Sequence, residues 1–189
     1  MRVISGKYKR RTFDVPRTFK ARPTTDFAKE NLFNVLANLV DLEECTNVLD
    51  LFAGTGSISL EFVSRGCRRV ISVERDPSHH AFIYKVKEQL NENGWLPLRA
   101  DVFRYIEKCH DSFDLIFADP PYALSRLAEL PDLILSRGML APGGMLILEH
   151  GKDHSFSQHP YFVQERVYGS VHFSFFEARS EDESEASEE

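Results

Sequence analysis

The chain has 189 residues, one domain's worth, and its 42% hydrophobic and 28% charged residues suit a globular protein with a packed core. No run approaches the ~18 apolar residues of a membrane helix, and the basic start MRVISGKYKRR is followed by no apolar signal region. Cys45, Cys67 and Cys109 form no CxxC pair, which argues against a disulfide framework or zinc knuckle and predicts a cytoplasmic protein, while the net charge of -6 conceals a strongly uneven distribution.

Residues 1–22 carry eight basic side chains against the single acid Asp14. Within them RVIS (2–5) and RRTFDVP (10–16) flank Gly6-Lys7, which predicts a basic hairpin arm. Thr24 or Thr25 can cap a helix from 26 to about 40, with Leu32, Phe33, Leu36 and Leu39 as its apolar stripe. Short apolar runs then alternate with helical patterns: strands at 46–52, 68–74, 97–100, 113–119 and 144–150, helices at 57–65, 77–93, 102–109 and 124–137. That alternation predicts a mainly parallel sheet covered on both faces. FVQERVY (162–168) and VHFSFFE (171–177) flank Gly169-Ser170 and read as an antiparallel hairpin. The tail 178–189 carries six acids and no large apolar side chain, so it is expected to stay disordered. The domain boundaries expected are therefore 1–22, 23–177 and 178–189.

Two motifs carry the chemistry. The first, Asp50-Leu-Phe-Ala-Gly-Thr-Gly56, ends the first parallel strand, where Gly54 and Gly56 let backbone approach a ligand closely. A dinucleotide fingerprint wants a third glycine or alanine at position 59, and this chain has Ser59. Glu74, ending the second strand, is placed to bind ribose hydroxyls in either kind of fold. The second motif is Asp119-Pro120-Pro121-Tyr122, at the end of the fourth strand. Open parallel sheets bind ligands at the carboxyl ends of their strands, so both motifs should face one crevice. The Asp119 carboxylate and the Pro120 carbonyl are two acceptors, matching the two hydrogens of an exocyclic amine. Tyr122 offers a flat face for a flipped base.

DLFAGTG, Glu74 and DPPY together resemble a class I S-adenosylmethionine-dependent methyltransferase acting on a base amine. With MRVISGKYKRR, ARPTTDFAKENLFNVL and VLDLFAGTGSISLEFVSRG added, the chain resembles the 16S rRNA guanine-N2 methyltransferases of the RsmD type over most of residues 1–150. His79-His80, the NENG end of their helix and the acidic tail depart from that pattern. The resemblance implies an α/β, Rossmann-like seven-stranded sheet with helices on both faces and an N-terminal β-hairpin extension. It implies S-adenosylmethionine as methyl donor and S-adenosylhomocysteine as product. Asp50, Gly54 and Gly56 would border the methionine part, Glu74 the ribose, and Asp101 with Val102 the adenine. Asp119 and Pro120 would hold the guanine amine, with Tyr122 stacked on the ring. The basic arm, with Arg22 and Thr24, would grip the RNA beside the flipped guanine.

An RNA hairpin offers a line of phosphates for Lys7, Lys9, Arg10, Arg11 and Arg22. The expected partner is therefore 16S rRNA or the small-subunit particle, met by a monomer. Competing readings are a DNA or other-RNA amino-methyltransferase, and a non-catalytic RNA-binding or assembly protein; the intact Asp119 and glycine loop disfavour the latter. The seven histidines, His79-His80, His150, His154 and His159 among them, lack metal-ligand spacing, so no metal is expected.

Overall fold

The computed structural model describes residues 1–19 and 24–178. Arg22 and the acidic tail from 179 onward lie outside them. The elements are α1 (Asp26–Leu39), β1 (Asn47–Leu51), α2 (Ser57–Ser64), β2 (Arg69–Glu74), α3 (Pro77–Leu90), β3 (Trp95–Arg99), α4 (Val102–Lys108), β4 (Phe113–Ala118), α5 (Leu130–Ser136), β5 (Leu140–His150), β6 (Phe162–Tyr168) and β7 (Val171–Glu177). One seven-stranded sheet runs β3-β2-β1-β4-β5-β7-β6, parallel through β5 and closed by the antiparallel β6–β7 pair.

Because strand side chains alternate, each central strand feeds two cores. Val48, Val70, Phe117 and Ile147 pack with Leu32, Phe33, Phe62 and Ile83 from α1–α3. Leu49, Ile71, Ile116 and Leu148 pack on the other face with Val102 and Ile106 of α4 and Ile134 of α5. Fully burying each such side chain stabilises the fold by about 2 kcal/mol. Trp95 and most phenylalanines are in these cores, but Phe27 is 66% exposed, and Leu39 lies outside the expected apolar stripe at 42%.

Local chemistry sets the boundaries. Thr25 Oγ1 accepts from the Ala28 amide as the α1 cap, and Asp76 caps α3 with Pro77 in its first turn. Helix α3 ends at Leu90 with Asn91 (φ 53°) as its cap, short of the 77–93 expected, since asparagine tolerates the left-handed region. The single helix expected over 124–137 divides into a 3-10 turn (Leu127–Glu129) and α5, because Pro131 has no amide for a helix interior.

The basic arm doubles back as expected but forms one antiparallel bridge, Arg2↔Thr12, in place of paired strands. Within the arm the Val3 amide donates to Arg11 O (2.9 Å) and the Phe13 amide to Met1 O (2.9 Å), and further bonds tie it to the domain. The Ile4 and Ser5 amides each donate 2.9 Å bonds to the carboxylate of buried Glu61, on α2. Arg65 Nε donates to the same group at 2.9 Å, and Lys29 Nζ lies 3.8 Å away. The Lys7 amide donates to Ser64 O (2.7 Å), a carbonyl at the end of α2. A Cβ on Gly6 (φ 81°) would sit 1.8 Å from that oxygen, so Gly6 is where the arm docks as well as where it turns.

Candidate active site

The strand order reverses between β1 and β4, and both motifs end there, at the carboxyl edge of the sheet. Asp50 pairs in register with Phe117 and Ser72, and Ala118 with Leu148. Asp50, Glu74, Asp119 and Glu149 therefore project from one face of four adjacent strands, about 4.8 Å apart from strand to strand. Between Glu74 and Asp119 the chain turns away at Phe52 (φ 63°) into the glycine loop. Such a conformation costs a phenylalanine energy that the surroundings must supply, and it clusters at ligand sites.

Each carboxylate of this row is held differently. Asp50 is buried, and its Oδ2 accepts from the Ser59 amide (3.0 Å) and the Ser59 hydroxyl. Behind Ser59, Ser72 Oγ donates to Ser59 Oγ (2.6 Å) and Trp95 Nε1 donates to Ser72 Oγ (2.7 Å). Ser59, in the sequence merely a missing third glycine, thus ends a buried relay of donors that fixes Asp50. Burial pushes the Asp50 carboxyl up to about 7 against the pull of its Ser59 bonds, with Glu74 adding to the rise. Glu74 accepts from the Gly54 amide (2.8 Å) and the Asp76 amide (2.7 Å), tying the end of β2 to the glycine loop. Gly54 and Gly56 are left-handed (φ 55° and 75°), and a Cβ on Gly56 would lie 2.9 Å from Ile83 Cγ1.

Asp119 follows β4, and its amide donates to Leu51 O at 3.3 Å. Burial, then Glu149, then Asp50 raise its pKa well above the usual carboxylate range. Pro120 is buried and Tyr122 is 43% exposed. The Tyr122 hydroxyl donates to Glu149 Oε1 at 3.0 Å, while Glu149 Oε2 is buried without a hydrogen-bond partner. The Tyr122 ring lies on Gly151, where a Cβ would come within 3.1 Å of Tyr122 Cδ2. Sequence reasoning missed Glu149 and Gly151. The acid ending the fifth strand was the available signal, since three other strands also end at an acid on this face.

Asp101 caps α4 through the Arg104 amide (3.2 Å), and Val102 is buried as its first residue. Asp101 lines a cleft of about 750 Å³ together with Arg75, Arg99, Arg104 and Lys108. This basic group, at the carboxyl side of β2 and β3, has no sequence signature because its members come from three separate segments. The arm's cations are placed otherwise. Lys7 pairs with Glu92, just past the C-terminal end of α3, and Arg11 lies over the Tyr8 ring at 5.5 Å. Lys9, Arg10 and Arg11 are exposed on this docked loop, bonded to the far end of α2, while Thr24 precedes the α1 cap. The tip of the arm thus meets the C-terminal ends of α2 and α3.

One histidine cluster lies across the antiparallel edge of the sheet. The ligand atoms of His150, Glu165 and His172 lie within 4.8 Å of one another across β5, β6 and β7. Their juxtaposition depends on strand register, which spacing along the chain does not reveal. His150 Nδ1 is 2.8 Å from Gly151 O and Nε2 is 2.8 Å from Ser174 Oγ; with Nδ1–H donating and the hydroxyl donating to Nε2, the ring is a satisfied neutral imidazole. Burial lowers its pKa.

Among the described residues no helix is long and apolar enough to cross a membrane. Ribosomal RNA small subunit methyltransferase D of Escherichia coli (strain K12) is 27% identical over 189 residues, covering 98% of this chain and 94% of its own. The solved structure of yhhF from Escherichia coli matches with a TM-score of 0.84 at 25% identity, over 96% of this chain and 99% of that one. RsmC of Thermus thermophilus, a 16S rRNA N2 methyltransferase solved with AdoMet and guanosine, shares the fold at a TM-score of 0.67 and 22% identity, over 85% of this chain and 45% of that one. The family described as Conserved hypothetical protein 95 matches residues 1–177. The chain belongs to that family, and its sheet is the seven-stranded class I methyltransferase fold that its motifs led us to expect.

Proposed function

We propose that this chain transfers a methyl group from S-adenosylmethionine to the exocyclic N2 amine of a guanine in 16S rRNA. The observation that carries the reading is the row of four carboxylates at the switch point, where Asp119-Pro120 ends β4 next to the strand that leads into the glycine loop. The residues present fit the cofactor. The loop turns through left-handed Gly54 and Gly56 beside this row, and acids gathered at Asp50 and Asp119 favour a cationic ligand. Asp50, Gly54 and Gly56 would hold its methionine part, Glu74 its ribose, and Asp101 with Val102 its adenine. When bound, the cofactor supplies an already activated sulfonium methyl.

The protein's own part is orientation. An aromatic amine is a poor nucleophile because its lone pair is delocalised into the ring. Accepting both of its hydrogens at Asp119 and Pro120 favours a pyramidal nitrogen with the lone pair aimed at the methyl. The proton can leave after transfer, and Asp119, whose raised pKa makes it a better acceptor, is the nearest group to take it. Tyr122, anchored to Glu149, supplies the stacking face. The reading keeps a basic arm (1–22), a methyltransferase domain (23–177) and an acidic tail (178–189), working as a cytoplasmic monomer on 16S rRNA or the small-subunit particle. RNA phosphates are met by Lys9, Arg10, Arg11, Arg22 and Thr24 of the arm and by the basic cleft around Asp101, with Lys7 held back by Glu92.

The test is methyl transfer from labelled S-adenosylmethionine into small-subunit RNA from cells lacking the gene, followed by nucleoside analysis. N2-methylguanosine is the expected product; methyl on adenine, or none, would overturn the reading. S-adenosylmethionine and S-adenosylhomocysteine should both raise the melting temperature by mass action, and NAD should not.

A further inference from the structure

Glu149 has no role in the proposed transfer beyond anchoring Tyr122, yet its environment asks for a ligand. It is 7% exposed, Oε1 is satisfied by the Tyr122 hydroxyl, and Oε2 is buried without a partner. Leaving such an oxygen unpaired costs roughly 1–3 kcal/mol, so a persistent instance calls for an explanation. The Ala118↔Leu148 register puts Glu149 directly beside Asp119 on the next parallel strand, pointing from the same face. A base whose amine is held at Asp119 therefore presents the neighbouring atom of its Watson–Crick edge toward Glu149.

We propose that Glu149 accepts the N1–H of the target guanine and thereby selects guanine against bases whose N1 carries a lone pair. The inference rests on the guanine reading above. Guanine offers adjacent donors at N1 and N2, which two adjacent carboxylates can accept; adenine sets an N1 lone pair against the Glu149 oxygen. The same two donors offset the desolvation that raises both acids, since an accepted hydrogen bond favours the ionised form. Glu149 is a specificity residue in this account, and Asp119 remains the group that touches the reacting amine.

The test separates recognition from anchoring. Glu149→Gln keeps an oxygen for the Tyr122 hydroxyl and puts an amide N–H where Oε2 stands. The substrates are an RNA spanning the mapped site with either guanine or 2-aminopurine at the target, the latter keeping the 2-amino group but bearing a lone pair at N1. The wild-type chain should prefer guanine by roughly 10–100-fold in kcat/KM, the worth of one good base contact. In Glu149→Gln that preference should collapse or invert, because the amide donates to the 2-aminopurine N1. The ratio is taken within one preparation, so any loss of folded protein cancels. An unchanged ratio in Glu149→Gln overturns this inference alone and leaves Glu149 as an anchor. No transfer to guanine by the wild-type chain overturns the guanine reading, and this inference with it.

Discussion

Carboxylates in two regions of the molecule lie on opposite sides of the distinction between fold and function. Glu61, under the docked arm, accepts two backbone amides and Arg65 Nε at 2.9 Å each, with Lys29 nearby. Asp119 and Glu149, at the carboxyl edge, crowd each other, and one Glu149 oxygen has no partner. Both arrangements take acids out of water. At Glu61 the chain supplies the compensating donors itself; at the crevice it leaves them to the substrate. An acid whose donors all come from the fold is there to hold the fold, and one left short of donors marks where a ligand belongs.

Removing the satisfied acid should have the largest effect. Glu61→Ala leaves Lys29 buried without its ion partner and frees the Ile4 and Ser5 amides, so stability should fall by about 3–5 kcal/mol. Denaturant unfolding measures this. Methyl transfer per folded molecule should stay near normal, since Glu61 lies outside the crevice.

The crevice acids should respond to pH with the opposite sign to ordinary paired carboxylates. The folded pKa of Asp50 is pushed up to about 7, above its unfolded value near 4. Its contribution to stability is thus fully present when the group is protonated and is lost as pH rises through 7. Wild type minus Asp50→Asn, followed by unfolding at pH 5 and pH 8, should show the variant gaining relative stability at pH 8. A difference that is flat with pH would mean that Asp50 is solvated.

A smaller effect is expected at Gly151. The added methyl in Gly151→Ala meets Tyr122 Cδ2 at 3.1 Å and must tilt the ring. KM for RNA should rise severalfold while S-adenosylmethionine affinity stays constant; equal changes in both would place Tyr122 against the cofactor instead. The smallest effect concerns charge. Reversal at Arg99 and Arg104, in the crevice-side cleft, should flatten the log–log salt dependence of RNA binding by roughly 0.7–0.9 per lost phosphate contact. Reversal at Arg10 and Arg11 should flatten it less, because the tip of their loop is bonded to the far end of α2. The reverse order would return the leading role to the arm.

Much of this was legible in the sequence. Short apolar runs and glycine, proline and threonine punctuation located all seven strands, because those signals are local. DLFAGTG, Glu74 and DPPY were legible as well, since each ends a strand that the parallel topology brings to one edge. What stayed hidden depends on register and docking. Glu149 becomes a neighbour of Asp119 only through the β4–β5 pairing, and Arg75, Arg99, Arg104 and Lys108 meet only when α4 packs. The arm's basic residues read as an RNA grip because charge is visible in sequence, whereas the bonds of its backbone to Glu61 and Ser64 are not.

The account turns on Asp119, and one paired measurement on Asp119→Asn tests it most directly: unfolding free energy and methyl transfer from S-adenosylmethionine to 16S rRNA on the same preparation. Relief of an acid crowded by Glu149 and Asp50 should leave stability unchanged or raised, while transfer falls by roughly 10²-fold or more and cofactor binding persists. Near-normal transfer, or a loss of transfer matched by a loss of folded protein, would contradict it and place Asp119 with Glu61 among the acids that hold the fold.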